Sequence, residues 1–495
     1  MFADYDEFPY PSYCYPQSSP EHLAAIGTLF GMTPPSLATA RVLEFGSGMG
    51  GNLLPLAARF PEARFLGIDY SPVQTEAARA DARALGLTNV DFDGRSILDI
   101  DRDLGPFDYV IAHGVYSWVT GEVRERMTDL TARWLSPQGI AYVSYNARPG
   151  WDAILPLRNA MLLHAQSARS LKERLAKARE ILAFMLKNAG SEDSPYRRVI
   201  AGEAETIAGK SDAYLLHEYL ADDNQPFHLT EVVDAAARFG LQYLGDAAVG
   251  TMPLGAASSG IEDLRQAKGN AWDPVRQEQY QDFMTNRRFR MSLFCRAGVR
   301  LARHPVVANV SRLRFVSECR PLSPVRPEAV GRIRHLPLTR RGKPVGTVRG
   351  RTLSACVMAA IEAGEGGAAF ADLIRKSVAT LGDVSRPMVE KEFLAGMGDL
   401  LMGRILDIAL LPPQYAAGPS DSPRGFPPAR LAAGRGEETV PNMCHREIHL
   451  TPAERRLLPL LDGSRDRGEL ARLAPGVGNL EEELSALAAA ALLER

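Results

Sequence analysis

Cysteine is scarce in this chain: Cys14, Cys295, Cys319, Cys356 and Cys444 are scattered over 495 positions. An odd, dispersed set argues against a disulfide framework and for a reducing compartment. No apolar run reaches the roughly 20 residues that a membrane-spanning helix needs. The opening Met1-Phe2-Ala3-Asp4-Tyr5-Asp6-Glu7 is acidic and aromatic, with neither the basic nor the apolar region of an export signal. A cytoplasmic location is therefore expected. The formal net charge of −2 leaves no global excess that demands nucleic acid or an anionic membrane. Metal ligands at recognisable spacing are also missing. Cys444, His445 and His449 have no second ligand pair at zinc-site spacing. His217-Glu218 fails the zincin pattern because the position four beyond His217 is Ala221; the pair is expected to be satisfied within its own helix or else to face the substrate cleft from the second domain. No repeat of fixed period is present, and the length points to about three domains.

What is present is concentrated near the start. Val42-Leu43-Glu44-Phe45 is an apolar run with an acid, Glu44, near its end, and Gly46-Ser47-Gly48-Met49-Gly50-Gly51 follows as a glycine-rich turn. A second apolar run, Phe65-Leu66-Gly67-Ile68, ends in Asp69. This pattern builds an adenosine-type cofactor site at the edge of a parallel sheet. The glycines let the backbone approach a ligand that side chains would exclude, and the second acid stands where a ribose diol can be held. Gly46, Gly48 and Gly51 satisfy the dinucleotide fingerprint. Glu44, Gly46, Gly48 and Gly50 satisfy the pattern of S-adenosylmethionine enzymes. Glu44 tips the choice, because a carboxylate repels a pyrophosphate but suits a cofactor with a cationic amino-acid end.

Alternating apolar runs and helical patterns from 41 to about 146 predict strands at 41–45, 64–68, 89–93, 107–112 and 139–145 in a parallel α/β sheet. Residues 1–20 hold Tyr5, Phe8, Pro9, Tyr10, Pro11, Tyr13, Tyr15 and Pro16, and read as an extended arm lying across this sheet. A helix is expected over 21–39, stopped by Pro34-Pro35, and amphipathic helix over 152–189. Two helices and a short strand are expected over 212–250, and a further helix over 278–300. Residues 285–351 hold about seventeen Lys or Arg against two acids, a local excess hidden by the net charge that reads either as a solvated face or as a site for an acidic partner. Helices over 352–411 end in a strand from Ile405 to Leu411; a mobile linker is expected over 412–440, and mostly helix over 446–495.

The runs YDEFPYPSYCYPQSSPEHLAAIGTLFGM, HGVYSWV, SYNARPGW and YLLHEYLADDNQPFHL carry a closer resemblance. Residues 1–150 look like a class I S-adenosylmethionine-dependent methyltransferase. The chain as a whole resembles bacterial methyltransferases with a methyltransferase regulatory domain, a group that includes rickettsial protein-lysine methyltransferases. The resemblance implies a Rossmann-like sheet, a mostly helical α+β middle domain and a winged-helix-like C-terminal domain. The divisions implied are 1–150 for the cofactor, 151–211 for a helical insertion or dimerisation segment, 212–340 for the regulatory domain and 341–495 for the C-terminal region. It also implies that Glu44, Gly46, Ser47, Gly48 and Gly50 line the methionine end of S-adenosylmethionine. Asp69 would hold the ribose with Tyr70 beside it. Ser96 and Ile97 would flank the adenine, with Ser96 standing where many relatives have aspartate. His113 would lie near the methionine moiety.

For the acceptor, Tyr116, Trp118, Tyr145, Asn146 and Trp151 follow the fourth and fifth strands at the carboxyl edge, where ligands bind. With Tyr10 and Tyr13 from the arm they are expected to form an aromatic acceptor pocket, His113 or Tyr116 taking the proton. Aromatic faces suit a sulfonium or methylammonium group. The expected reaction is methyl transfer to a protein lysine, on an acidic polypeptide and in a homodimer. A small-molecule methyltransferase is the alternative, and a cofactor-sensing interaction protein is the alternative of another class.

Overall fold

A computed structural model describes residues 12–191, 193–254, 273–303, 306–412 and 414–495. Its centre is a seven-stranded sheet: β1 Arg41–Phe45, β2 Arg64–Ile68, β3 Val90–Asp93, β4 Phe107–Ala112, β5 Leu135–Asn146, β6 Leu241–Asp246 and β7 Phe289–Arg296. The spatial order is β3-β2-β1-β4-β5-β7-β6. The first five strands run parallel, while β7 is antiparallel to both β5 and β6. The order reverses between β1 and β4, and a doubly wound sheet opens a crevice at the carboxyl ends of such a pair.

Alternation along each strand sends side chains to two cores. Val42, Phe65, Tyr109 and Tyr142 pack with the helix Pro20–Leu29, and their core continues into Phe315, Phe370 and Phe393 of the later chain. Leu43, Phe45, Val110 and Tyr145 pack with Met127, Leu130 and Val232 on the other face. The helices Leu155–Ala165, Leu171–Asn188 and Pro195–Ala208 have a separate core that includes Met161, Leu182 and Ile200. A fourth core, around Phe426, Leu457 and Leu487, belongs to the C-terminal module.

The structure departs from the sequence expectations at several points. The sheet is not complete at residue 150, since β6 and β7 join it from beyond the helical insertion. The helix expected over 278–300 is instead a helix Pro274–Thr285 followed by β7. Asn286, left-handed at φ 50°, ends the helix, and the arginine-rich run conceals the break. Arg290 is wholly buried there, with Nε 2.7 Å from Asp282, Nη1 2.9 Å from Glu278 and Nη1 3.3 Å from Asp246. Arg287, Arg296, Arg303, Arg312 and Arg314 likewise bind internal carboxylates or carbonyls, so much of the basic run is structural. The helix expected over 21–39 stops at Leu29, where Gly31 turns the chain at φ 89°. The linker expected over 412–440 contains the helix Pro427–Gly434 and the strand Thr439–Pro441, and buries Phe426, Ala429 and Val440. Its proline and glycine suggested mobility, but its apolar residues complete the C-terminal core.

Among the described residues no helix is long and apolar enough to cross a membrane, and no group of three or more His, Cys, Asp and Glu could hold a metal ion.

Candidate active site

A cavity of about 470 Å³ opens at the carboxyl ends of β1, β2 and β4. That volume is within the range of pockets that enclose a small molecule. Its floor is the glycine turn. Gly46, Gly48 and Gly50 have φ of 72°, 52° and 79°, the left-handed region that glycine enters without steric cost. A Cβ on Gly46 would lie 2.4 Å from Val115 Cγ2, so space as well as backbone angle requires glycine there. Gly50 is turned inward against Phe92 and shapes the turn without lining the cavity.

Glu44 and Asp69 flank the turn and are held in different ways. Asp69 accepts the Gly48 N–H at 2.8 Å and the Ser71 N–H at 2.9 Å, which aims its carboxylate across the turn. Glu44 is buried; Oε1 accepts from Asn52 Nδ2 at 2.8 Å, while Oε2 is buried without a hydrogen-bond partner. Burial pushes this carboxyl up to about 8, against the opposing Asn52 bond. A desolvated carboxylate oxygen at a cavity wall is a receptor for a cation. An ammonium on the methionine end of S-adenosylmethionine meets that requirement, and the glycine turn leaves room for the chain behind it. The residues present therefore fit this cofactor.

Tyr70 and Ile97 lie on the cavity wall with Ser96, whose Oγ accepts the Leu98 N–H at 3.2 Å and caps the turn Ile97–Asp99. Ser47 also lines the cavity, with its buried hydroxyl lacking a partner. His113 forms the inner wall. Its Nδ1 is 2.9 Å from Tyr142 Oη and 3.2 Å from Ser144 Oγ, and Tyr15 stacks on its ring at 3.9 Å between centroids. Burial lowers its pKa to about 4, so the ring is neutral at physiological pH.

The rest of the cavity lining differs from the expected aromatic pocket. Trp118 and Tyr13 line the cavity, and Trp118 Nε1 donates to the His217 carbonyl at 3.2 Å. Tyr116, Tyr145, Asn146 and Trp151 do not line it. Tyr116 packs edge-on to Phe227, and Tyr145 Oη pairs with Ser292 at 2.9 Å. Asn146 Nδ2 donates to Asn224 at 2.8 Å, and Trp151 packs on Tyr219 in the insertion's core. Their side chains fall on the inner faces of the strands or beyond the sheet edge, a consequence of pleat and turn that sequence position alone does not reveal. Tyr10 lies outside the described residues.

In their place stand Leu216, His217, Glu218, Ala221, Asp222 and Asp223, from the helix Asp212–Tyr219 and the loop after it. The His217-Glu218 pair, discarded as a metal motif, thus faces the same cavity as the glycine turn. Burial raises the Glu218 carboxyl to about 7, with the Arg288 charge opposing. Tyr15 and Asn52 carry no site signature in the sequence, whereas His217-Glu218 takes the cleft-facing place that was one of its two expected ones. For Tyr15 the signal in the chain is its place inside the distinctive run at 5–32.

Comparison with known proteins agrees with this geometry. Residues 42–139 match a methyltransferase domain, 211–296 a predicted methyltransferase regulatory domain and 421–474 the PKMT C-terminal winged helix domain. The uncharacterized protein RP789 of Rickettsia prowazekii is 39% identical over 65% of this chain, and the match spans 58% of that relative's length. RP028 of the same organism is 36% identical over 47% of this chain and 94% of its own. The solved structure of PKMT2 from Rickettsia typhi in complex with AdoHcy superposes with a TM-score of 0.84 at 27% identity, covering 98% of this chain and 100% of that one. With a cradle that fits S-adenosylmethionine and three domain matches along its length, the chain belongs to the S-adenosylmethionine-dependent methyltransferases that carry a methyltransferase regulatory domain and a PKMT-type C-terminal winged helix.

Proposed function

We propose that the protein transfers a methyl group from S-adenosylmethionine to the ε-amine of a lysine in a polypeptide. The observation that carries this reading is the acidic part of the cavity wall, where Glu218, Asp222 and Asp223 line the same cavity as Trp118 and His113. Carboxylates beside an aromatic face attract an alkylammonium and align it. The resemblance to PKMT2 supports the same acceptor.

S-adenosylmethionine, when bound, supplies an electrophilic methyl group on a sulfonium sulfur. In this reading Glu44 holds its ammonium, Asp69 its ribose hydroxyls, and Ser96, Ile97 and Tyr70 its adenine end. Tyr15 and Trp118 exclude water from the reacting atoms, and alignment at near-attack distance supplies much of the rate. A lysine side chain attacks only when neutral, and its ordinary pKa is about 10.4. Glu218, raised to about 7, accepts the ammonium proton more readily than an ordinary carboxylate. His113, lowered to about 4, is the weaker base and serves as a wall of the cavity.

The exposed Arg320, Arg334, Arg341, Lys343 and Arg349 support docking of an acidic stretch of the same substrate. Leu163 at 73% exposure and Phe184 at 60% support self-association through the helical insertion, to be measured by light scattering.

The test is transfer from methyl-labelled S-adenosylmethionine in cell extract. Label on lysine after acid hydrolysis of protein is the expected result. Label confined to small metabolites would overturn the reading in favour of a small-molecule acceptor.

A further inference from the structure

The C-terminal module reaches the cofactor cradle through one buried side chain. The strands Thr439–Pro441 and Glu447–His449 pair as a hairpin, and His445 stands at its tip in the left-handed conformation, φ 56°. A bulky residue there carries backbone strain that a surrounding structure must hold. Asn442 does so. Its side-chain oxygen accepts from the Cys444 and Arg446 N–H groups, both at 2.9 Å, and its amide donates to the Ala490 carbonyl at 2.9 Å. The imidazole is 1% exposed, with Nε2 2.7 Å from Asn52 Oδ1 across 393 residues of sequence. Asn52 Nδ2 in turn donates to Glu44 Oε1 at 2.8 Å. Because Glu44 accepts, the Asn52 amide nitrogen must face it and its oxygen must face His445, which therefore donates from Nε2.

Asn52 occupies the N-cap of the helix Leu53–Arg59, a position where asparagine usually bonds its own helix. Here it makes no cap bond. Its oxygen accepts from His445 and from the Tyr15 N–H at 3.0 Å, the second contact anchoring the segment that stacks Tyr15 on His113. The module is tied to the same region by the Cys14 N–H on Glu447 at 2.7 Å and by Arg435 on Asp81 at 2.9 Å.

We propose that His445 of the C-terminal module is a positioning residue for the methyl-transfer site. It holds Asn52, Asn52 holds Glu44, and cofactor binding is thereby coupled to docking of the winged helix on the catalytic sheet. The inference rests on the reading of Glu44 as the receptor for the cofactor ammonium. Linkage makes the coupling reciprocal, so what tightens one contact tightens the other.

The test uses the full chain and S-adenosylhomocysteine, with affinity read by calorimetry. His445→Leu removes the donor and should weaken binding about tenfold, the size expected when support for a charged contact is lost. His445→Gln keeps a donor and should stay within about threefold of the parent. In a Glu44→Gln background His445→Leu should change affinity by less than about twofold, because the relay then has no charge to orient. Equal losses in both backgrounds, or parental affinity in His445→Leu, would overturn the proposal. Hydrogen exchange on the unsubstituted protein tests it without a variant: the ligand should slow exchange of peptides covering 439–449, and unchanged exchange there counts against the coupling. If the parent chain itself fails to bind S-adenosylhomocysteine, the cofactor reading falls, and the relay inference falls with it.

Discussion

Replacing Glu44 with glutamine separates what this residue does for the cofactor from what it costs the fold. Glu44 is 3% exposed, and burial raises its carboxyl from 4.5 to about 8. The folded protein therefore keeps a proton that the unfolded chain has already released. Stability from this group is intact below about pH 4.5 and is lost as the pH rises toward about 8. At about 1.36 kcal/mol per pH unit, the loss is about 3 kcal/mol at pH 7 and levels off near ~5 kcal/mol above pH 8. Glutamine can accept the Asn52 bond without ionising. Ligand-free Glu44→Gln should therefore melt higher than the parent at about pH 8, with the difference fading near about pH 4.5. Cofactor binding responds in the opposite sense. An ammonium on Oε2 favours the charged form, so binding at pH 7 should release about 0.9 of a proton. Affinity of the parent for S-adenosylhomocysteine should tighten by up to about tenfold per pH unit between about pH 6 and 7.5. The variant should bind about 10- to 100-fold more weakly, as expected for loss of a hydrogen bond to a charged group, and with no such slope. Calorimetry in two buffers of different ionisation enthalpy reads affinity and proton release together. Equal affinity of variant and parent, or binding without proton release, would refute the assignment of Glu44.

Gly46→Ala should weaken S-adenosylhomocysteine binding by about tenfold or more, since a left-handed alanine costs about 1–2 kcal/mol and its methyl displaces Val115 from the cavity wall; unchanged affinity would show that the turn does not cradle the ligand. Glu218→Gln should slow methyl transfer and remove the acid limb of the rate profile, which in the parent falls as pH drops through about 7 and Glu218 takes up a proton. A profile that keeps this limb in the variant would assign the base elsewhere. Arg290→Met leaves Asp246, Glu278 and Asp282 without their common cation and should destabilise the β6–β7 edge by about 3–5 kcal/mol, read as a lower urea midpoint. A midpoint within error of the parent would mean that the cluster contributes little.

Local pattern determined a large part of this protein. The parallel strands, the glycine turn and the acids closing β1 and β2 were legible because each depends on residues a few positions apart: alternating burial makes a strand, and positive φ calls for glycine. The cofactor class followed from Glu44 together with the order of the segments at 90–99 and 107–119. The rest of the cavity wall was legible only in part: Tyr13 and Trp118 line it as expected. Tyr116, Tyr145, Asn146 and Trp151 had the right chemistry and stood just after the right strands, but pleat and turn geometry sent their side chains elsewhere. Glu218 arrived from a helix 170 positions beyond Gly48, and its carboxyl rises to about 7 only because packing removes water from it. Likewise β7 is hidden in an arginine-rich run whose charges are neutralised by partners brought from Asp246, Glu278 and Asp282. The His445–Asn52–Glu44 relay had no signal in the chain at all. No local periodicity encodes a contact across 393 residues; only the docking of one core against another brings those atoms to hydrogen-bond distance, and burial then makes each of the bonds matter.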